Sequence, residues 1–468
     1  MKVQVKKLLA SAVFSLCLLS VASAKLTKQI DSIVNQPAQK KVRFSIHIVK
    51  ADSAQVVYSH NANKALVPAS NMKIIVGAAA LKYLGPNYEY KTRVGLCGDT
   101  LVVTGAGDPL LGDKATDGKN GRENGWIFKD IAAALKQKGE TVIRDIVVDS
   151  TIFDDQRVHP SWPKKELNRW YACEVSGLNY NGNCINVSAK AVGGKAIVSI
   201  EPKTGFVKVV NKVTAISKGK SAVGSYRQGE ANKIIVHGKC KGKAEPFAVA
   251  IERPATFFGY LLAEELIRAG INVEGELFEK SVSRDCNFRE LTEYRTSIAD
   301  CLGRCNKDSF ALAAEALLKT IAANGGEIKK NGGWAKGREM ISRYLSNLDV
   351  GESEFRIDDG SGLSRENKLS ANAITKVLLD VYKSKNRKLY KDSLAVGGVD
   401  GTIRRYFKEA KYRGKVFGKT GYIAGAKSFS GICSGRGGEY IFSILANKTN
   451  GKTRKAINDI VKAIIDDN

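Results

Sequence analysis

The stretch LVPASNMKIIVGAAAL, residues 66–81, joins an apolar run to a serine and a lysine that lie three positions apart. Positions i and i+3 of a helix share a face, so the amine of Lys73 would lie within reach of the Ser70 hydroxyl. The run is apolar on most sides and is followed by a Gly-Pro pair, which predicts a central, buried helix. A lysine at the buried end of such a helix is costly unless it has a partner or a task. Ser70 and Lys73 are therefore candidate catalytic residues.

The same S-x-x-K spacing occurs twice more, at Ser161 and at Ser217. The first copy contains a proline, and the second lies in a Gly/Lys-rich turn. Most matches to so short a pattern are solvated first-turn pairs. Only Ser70 opens a long apolar segment, which favours this copy over the other two.

Residues 1–24 resemble a signal peptide. They have a basic start, an apolar stretch over 8–21 and the small residues ASA at 22–24. We therefore expect an exported protein of the periplasm or cell envelope whose mature chain starts near Lys25. No later run is long enough for a transmembrane helix.

Eight cysteines follow residue 24, and an even number in an exported chain indicates disulfides. The sequence does not give their pairing, but Cys173 and Cys184 are the nearest local candidates. A zinc site is disfavoured because only four histidines are present and none is close to Cys301 or Cys305. We predict no metal and no cofactor.

The formal charge is +27, and +24 without the three lysines of the leader. Such a charge favours polyanionic partners. The chain has no zinc finger, aromatic-basic RNA motif or arginine cluster, so nucleic acid is disfavoured. For an exported protein, anionic cell-wall polymers are the favoured partners.

The order of predicted elements indicates an α+β fold with an insertion. Residues 42–48 alternate in polarity and residues 55–59 follow a polar turn, which predicts a hairpin before the Ser70 helix. After residue 90, short strands alternate with Gly-rich turns, apart from helices predicted over 126–138 and 256–269. From about residue 300 helices return, and strands and a closing helix end the chain. The opening hairpin can then join the C-terminal sheet.

A second candidate motif lies between two of these last strands, at Lys419-Thr420-Gly421. A lysine at a strand edge can bind a carboxylate, and the adjacent glycine leaves backbone N–H groups accessible. K-T-G also occurs at Lys203, but inside the β-rich insertion. Only the Lys419 copy lies in the domain predicted to hold Ser70.

An S-x-x-K motif first and a K-T-G motif last resemble the penicillin-recognising serine acyltransferases. The sequence is most similar to the penicillin-binding protein 4 type of D-alanyl-D-alanine carboxypeptidase/endopeptidase, a class C low-molecular-mass penicillin-binding protein. The similar segments occur in the family's order and cover most of the chain: PASNMKIIVGAAAL (68–81), GAGDPLL (105–111), DIVVDSTIFD (145–154), DDGSGLSRENKLS (358–370), GGVDGTIRR (397–405) and GKTGYIAGAKSFSG (418–431).

The resemblance implies a penicillin-binding transpeptidase/β-lactamase-like domain with two inserted, β-rich smaller domains. The expected boundaries are 25–90 and 284–468 for the catalytic domain, 91–172 and 247–283 for the inserted domain, and 173–246 for a nested domain.

The resemblance also implies a serine peptidase that acts on peptidoglycan peptides ending in D-Ala-D-Ala and is acylated by β-lactams. Ser70 would be the nucleophile and needs a base. Lys73 can serve only as a neutral amine, which burial and the nearby cation Lys419 would favour. Which group accepts the proton is disputed for relatives of this kind. The backbone N–H groups of Ser70 and Tyr422 would form the oxyanion hole. Lys419 and Thr420, followed by Gly421, would bind the substrate carboxylate.

The middle motif departs from the family. Relatives have S-x-N, whereas this chain has Ser309-Phe310-Ala311. Ser309 alone is also a plausible helix cap, as is Asp308. Ala311 can neither donate to a substrate carbonyl nor accept from a lysine, so slow but real hydrolysis is expected. Asn306 or Asp308 could supply the missing group.

Two alternative functions remain open at this point. A non-catalytic cell-wall-binding homologue is favoured by Ala311. A β-lactamase is disfavoured because nothing marks a dedicated deacylation base. Carboxypeptidase and endopeptidase activity cannot be told apart from the sequence.

Overall fold

The computed structural model describes residues 25–282, 286–325 and 331–467. The predicted signal peptide, residues 1–24, lies outside these ranges. The chain forms two compact units, which are described separately below. Of the described residues, the first comprises 25–82, 302–310 and 338–467, and the second comprises 83–282, 286–301, 311–325 and 331–337.

The strands and helices of both units are numbered here in chain order. The strands are β1 Arg43–Lys50, β2 Val56–His60, β3 Glu89–Cys97, β4 Thr100–Thr104, β5 Val142–Ile143, β6 Ile146–Asp149, β7 Cys184–Val192, β8 Lys195–Glu201, β9 Lys208–Ala215, β10 Ala222–Arg227, β11 Lys233–Cys240, β12 Phe247–Ala250, β13 Asn272–Val273, β14 Leu277–Glu279, β15 Phe288–Ser297, β16 Phe355–Arg356, β17 Lys368–Leu369, β18 Ala395–Val396, β19 Val416–Ile423, β20 Ala426–Gly435 and β21 Gly438–Asn447. The helices are α1 (residues 25–34), α2 Met72–Tyr83, α3 Lys114–Lys119, α4 Trp126–Gln137, α5 Pro254–Arg268, α6 Ile298–Lys307, α7 Ala311–Asn324, α8 Trp334–Ser346, α9 Ala371–Lys383, α10 Arg387–Ser393 and α11 Thr453–Asp466.

The first unit is built on a six-stranded sheet of order β18-β19-β20-β21-β1-β2. The predicted opening hairpin is confirmed, because β1 pairs antiparallel with both β2 and β21. Alternate β1 side chains face opposite layers, as a pleated strand requires. Phe44 and Ile46 join a core with α1 and α11, whereas Nδ1 of His47 lies 2.6 Å from Oγ1 of Thr375 on α9. The sheet is therefore covered by helices on both faces.

Helix α2 is the central element that the sequence predicts. All ten of its residues from Met72 to Leu81 are buried, including Lys73. Tyr390 of α10 donates a hydrogen bond to the carbonyl of Ile74 at 2.8 Å. Because α2 is apolar on every side, its position is fixed by packing around its full circumference.

The second unit is β-rich. Its main sheet has the order β14-β6-β4-β3-β15, and α4 and α5 share its apolar core. Two three-stranded sheets, β12-β7-β8 and β10-β11-β9, account for much of the rest. The helices predicted over 126–138 and 256–269 are present as α4 and α5. The α+β fold class with additional β-rich parts is confirmed.

The predicted domain boundaries stay a prediction, and strand pairing places the end of the β-rich unit beyond β15. Strand β15 pairs antiparallel with β3 over most of its length, which holds residues 288–297 in the second unit. That pairing joins segments almost 200 residues apart and leaves no local sequence signal. The division of the second unit into an inserted and a nested domain remains a proposal.

The local disulfide guess is wrong. Cys173 and Cys184 are buried and are not bonded to each other. The disulfide joins Cys97 and Cys286, whose Cα atoms are 5.6 Å apart. Cys286 precedes β15, in which Phe288 is paired with Cys97, so strand pairing brings the two thiols within bonding range. Spatial adjacency, rather than nearness in sequence, decides the pairing.

In the described ranges, no helix combines the length and the apolar composition that crossing a membrane requires. In those same ranges, no group of three or more His, Cys, Asp or Glu side chains is arranged to hold a metal ion.

Candidate active site

Ser70 lies in a short 3-10 turn, Ala69–Asn71, that leads directly into α2. The preceding residue, Ala69, has a φ of +48°, which is rare for a residue with a side chain. Gly362 packs directly against the carbonyl of Ala69, so closely that no Cβ fits there. The strained turn is thus held by its surroundings, as is common where a side chain must be presented accurately.

Asn71 and two serines of β20 fix this turn against the sheet. The Asn71 amide lies within hydrogen-bond distance of Oγ of Ser428 (2.8 Å) and Oγ of Ser430 (2.6 Å). Ser428 also donates to the carbonyl of Pro68 at 2.7 Å. All of these side chains are buried, so each bond is protected from water. The position of Ser70 relative to β19 and β20 is therefore well determined.

Lys73 is the direct neighbour of Ser70, as the sequence predicts. Its Nζ donates to Oγ of Ser70 at 3.3 Å and to the carbonyl of Ser361 at 2.7 Å, and the side chain is 1% exposed. Asp359 shapes the loop that supplies this carbonyl by accepting from the backbone N–H groups of Gly362 and Ser364, both at 2.7 Å. The loop orients the amine towards the serine.

Lys419 and Ser309 form a second contact pair in the same unit. Nζ of Lys419 donates to Oγ of Ser309 and to the carbonyl of Thr420, both at 2.9 Å. Ser309 follows α6 with a φ of +61°, a second strained non-glycine residue at the site. Lys419 is fully buried. Burial, and secondarily the positive charge of Lys73, hold the pKa of Lys419 well below the usual lysine range.

The K-T-G segment lies on a strand edge that is largely open. Strand β18 pairs only with Phe417 and Gly418 of β19, so no described strand pairs with the following five residues on that side. Tyr422 is 69% exposed at this edge. An open edge of this kind can accept an extended peptide as an additional strand.

Gly421 is required by a close approach of two backbones. A Cβ added at Gly421 would lie 2.8 Å from the carbonyl oxygen of Pro68 and 3.0 Å from the backbone nitrogen of Ser70, and would collide with Oγ of Ser428. Strand β19 therefore passes directly beside the Ser70 N–H. An oxyanion hole formed by the N–H groups of Ser70 and Tyr422 stays a prediction.

We expect Gly421→Ala to reduce acylation by penicillin, because the added methyl group must displace β19 from Ser70. Overpacking typically costs about 1–3 kcal/mol of stability, so the melting temperature should also fall. Gly303→Ala on α6 is the matched control, since a Cβ there meets no atom within 4 Å. Equal acylation rates for the two variants would show that the contact does not matter.

Ser309 is the member of the middle motif that contacts Lys419, whereas Ala311 is a buried residue at the start of α7. Of the two residues proposed to replace the missing amide, Asp308 forms an ion pair with Arg304 at 2.6 Å. Asn306 donates to Oγ of Ser393 at 2.9 Å. Asp308 also interacts electrostatically with Lys419. The Oδ1 atom of Asn306 is buried and has no hydrogen-bond partner among the described residues.

The competing motif copies lie elsewhere. Ser161, Ser217 and Lys203 all lie in the second unit, and their side chains are exposed. Sequence reasoning missed two residues that contact the site, Ser361 and Arg454. The backbone carbonyl of Ser361 accepts from Lys73. Arg454 of α11 donates to the carbonyl of Gly421 at 2.9 Å. The segment DDGSGLS was the available signal for Ser361, whereas nothing in the sequence marks Arg454.

The chain as a whole matches a known family. Residues 26–467 match the profile of D-Ala-D-Ala carboxypeptidase 3 (S13). The chain belongs to the D-Ala-D-Ala carboxypeptidase 3 (S13) family. Membership confirms the predicted resemblance and the expectation of a serine-type hydrolase of the D-Ala-D-Ala carboxypeptidase class.

Individual relatives agree with this family. The D-alanyl-D-alanine carboxypeptidase of Actinomadura sp. strain R39 is 28% identical over 464 residues, which cover 93% of this chain and 84% of the relative. The crystal structure of penicillin-binding protein 4 from Haemophilus influenzae matches with a TM-score of 0.78 at 19% identity, over 92% of this chain and 98% of that one. The same protein complexed with a β-lactam matches with a TM-score of 0.73 at 18% identity, with the same coverage. These structures support the fold assigned above.

Proposed function

We propose that the protein hydrolyses peptidoglycan peptides ending in D-Ala-D-Ala through an acyl-enzyme on Ser70, and that β-lactams acylate the same residue. The observation that carries the proposal is the meeting of Ser70, Lys73, Ser309 and Lys419 beside the open edge of β19. These residues come from three separate segments of the chain.

The substrate would lie along β19 as an added strand. Lys419 and Thr420 would hold its terminal carboxylate, and the N–H groups of Ser70 and Tyr422 would bind the developing oxyanion. Lys73 accepts the Ser70 proton as Oγ attacks the carbonyl carbon. The amide C–N bond then breaks, the amine leaves with a proton, and water hydrolyses the ester. No metal or organic cofactor is needed for this sequence of steps.

The direct test is to incubate the purified protein with fluorescent penicillin and, separately, with a D-Ala-D-Ala peptide. We expect covalent labelling and release of D-alanine, both slower than in relatives with S-x-N because Ala311 lacks the amide. A protein that is inert in both assays, and that Ala311→Asn does not rescue, would instead be the non-catalytic wall-binding homologue.

We also propose export to the cell envelope and association with anionic wall polymers through charge. The motivation is the net charge of +24 beyond the leader. Binding to isolated cell wall should weaken as salt rises, because the Debye length falls from about 10 Å at 0.1 M to about 3 Å at 1 M. Sedimentation with purified wall at the two salt concentrations measures this. Retention that does not depend on salt would indicate a specific carbohydrate site instead.

A further inference from the structure

A cavity of about 320 Å³ opens in the first unit beside the K-T-G strand. A volume of this size is at the lower end of the range for ligand pockets. Its lining residues are Asp308, Gly401, Thr402, Arg404, Arg405 and Tyr406. None of them belongs to the S-x-x-K or K-T-G motif.

One contact joins this cavity to the proposed carboxylate site. Oγ1 of Thr402 lies 3.0 Å from Oγ1 of Thr420. The cavity therefore begins where the proposed site for the terminal carboxylate ends.

The cavity carries uncompensated positive charge. The side chains of Arg404 and Arg405 are exposed, and neither forms a hydrogen bond or an ion pair with the part of the chain that the structure describes. The only acidic lining residue, Asp308, is already paired with Arg304. Guanidinium groups bind carboxylates with two parallel hydrogen bonds, so this wall suits a carboxylate.

We propose that this cavity is a leaving-group subsite that binds a second carboxylate, carried by the residue after the scissile D-Ala. The inference rests on the proposed function. If Lys419 and Thr420 hold the α-carboxylate of the leaving residue, a longer side chain passes Thr402 and reaches the arginines. The methyl group of D-alanine is too short to do so. The enzyme would then favour bonds from D-Ala to a larger acidic residue, as an endopeptidase cleaving cross-linked peptides requires, over terminal D-Ala-D-Ala.

The test uses three peptides with the same acyl part, ending in D-Ala-D-Glu, D-Ala-D-Gln or D-Ala-D-Ala. Glutamate and glutamine have the same shape and differ in charge. We expect kcat/KM to favour D-Glu over D-Gln by about 3- to 10-fold, because partly exposed ion pairs contribute modestly. The double variant Arg404→Gln/Arg405→Gln should bring this ratio close to one. The matched control is Lys408→Gln/Lys415→Gln, which removes two exposed charges outside the cavity and should keep the preference.

The possible outcomes separate this inference from the proposed function. If penicillin acylates Ser70 and D-Ala-D-Ala is hydrolysed but D-Glu and D-Gln are equivalent, the subsite is overturned and the proposed function stands. The same conclusion follows if the arginine and lysine double variants lose the preference for D-Glu equally. The overall positive charge of the protein, and not the cavity, would then cause the preference. If the wild-type protein neither hydrolyses any peptide nor reacts with penicillin, both proposals fail.

Discussion

Ser70→Ala is expected to lower acylation by penicillin and hydrolysis of D-Ala-D-Ala peptides by about 10⁴-fold or more, because loss of a nucleophile removes the covalent route. The substitution deletes only the hydroxyl that accepts from Lys73 at 3.3 Å. The fold should therefore survive, and an unchanged melting temperature would show this. Intact-mass analysis and peptide mapping after penicillin treatment measure the effect: the wild-type protein should gain one adduct, located on the Ser70 peptide, and the variant none.

Ser161→Ala and Ser217→Ala are the matched controls for this result. Both serines carry the same S-x-x-K spacing, but they are exposed and lie in the second unit. Each control should be acylated at the wild-type rate. An adduct on either of these peptides would mean that the nucleophile is wrongly assigned.

Lys419→Met should have the second-largest effect. Methionine keeps much of the length and volume of lysine but removes the amine. Truncating one partner of a buried charge pair costs about 2–5 kcal/mol, which corresponds to roughly 30- to 4,000-fold in kcat/KM. The loss should be confined to peptides with a free terminal carboxylate. Comparing each peptide with its C-terminal amide therefore measures whether the carboxylate interaction has gone.

Lys203→Met is the control, because Lys203 opens the second K-T-G copy and is exposed in the second unit. We expect its kinetics to match those of the wild-type protein. If Lys203→Met were the damaging change and Lys419→Met harmless, the carboxylate site would lie in the second unit.

Because the pKa of Lys419 is lowered, Lys419→Met should also change the stability of the protein, and in the direction opposite to its effect on activity. The unfolded chain binds this proton more tightly than the folded chain does. The charge on Lys419 therefore lowers the free energy of unfolding at pH values below the folded pKa. This penalty disappears as the pH rises from the folded pKa to the unfolded value of about 10.4. At neutral pH, Lys419→Met should unfold at a temperature no lower than the wild type, even though its activity falls. Carboxylate binding by the wild type should weaken well before pH 10.5.

Local signals were sufficient where one segment decides the structure. The apolar run after Ser70 predicts α2 because burial on all sides needs no knowledge of the neighbours. The sequence favours Lys419 over Lys203 because Lys203 lies in the β-rich insertion, whereas Lys419 lies in β19, a strand of the sheet that the opening hairpin joins. The family resemblance then ordered these segments correctly.

The failures concern contacts between distant segments. The bond between Cys97 and Cys286 depends on β15 lying beside β3, which no local pattern reveals. Ser361 contributes a backbone carbonyl, and any residue type has one, so its side chain carries no signal. Arg454 reaches the site from the last helix through the carbonyl of Gly421. Such contacts can be found only once the tertiary arrangement is known.

The open edge of β19 also has a consequence for the solubility of the protein. Unpaired strand edges promote association between molecules, and most proteins cover them. If this edge receives substrate, it cannot be covered permanently. Three features would then protect the edge from association. The unpaired part of β19 is short, and Gly421 favours strand pairing poorly. The positive charges of Arg404 and Arg405 are also exposed nearby. Apolar, β-branched substitutions along this edge would therefore favour self-association long before they affected the chemistry.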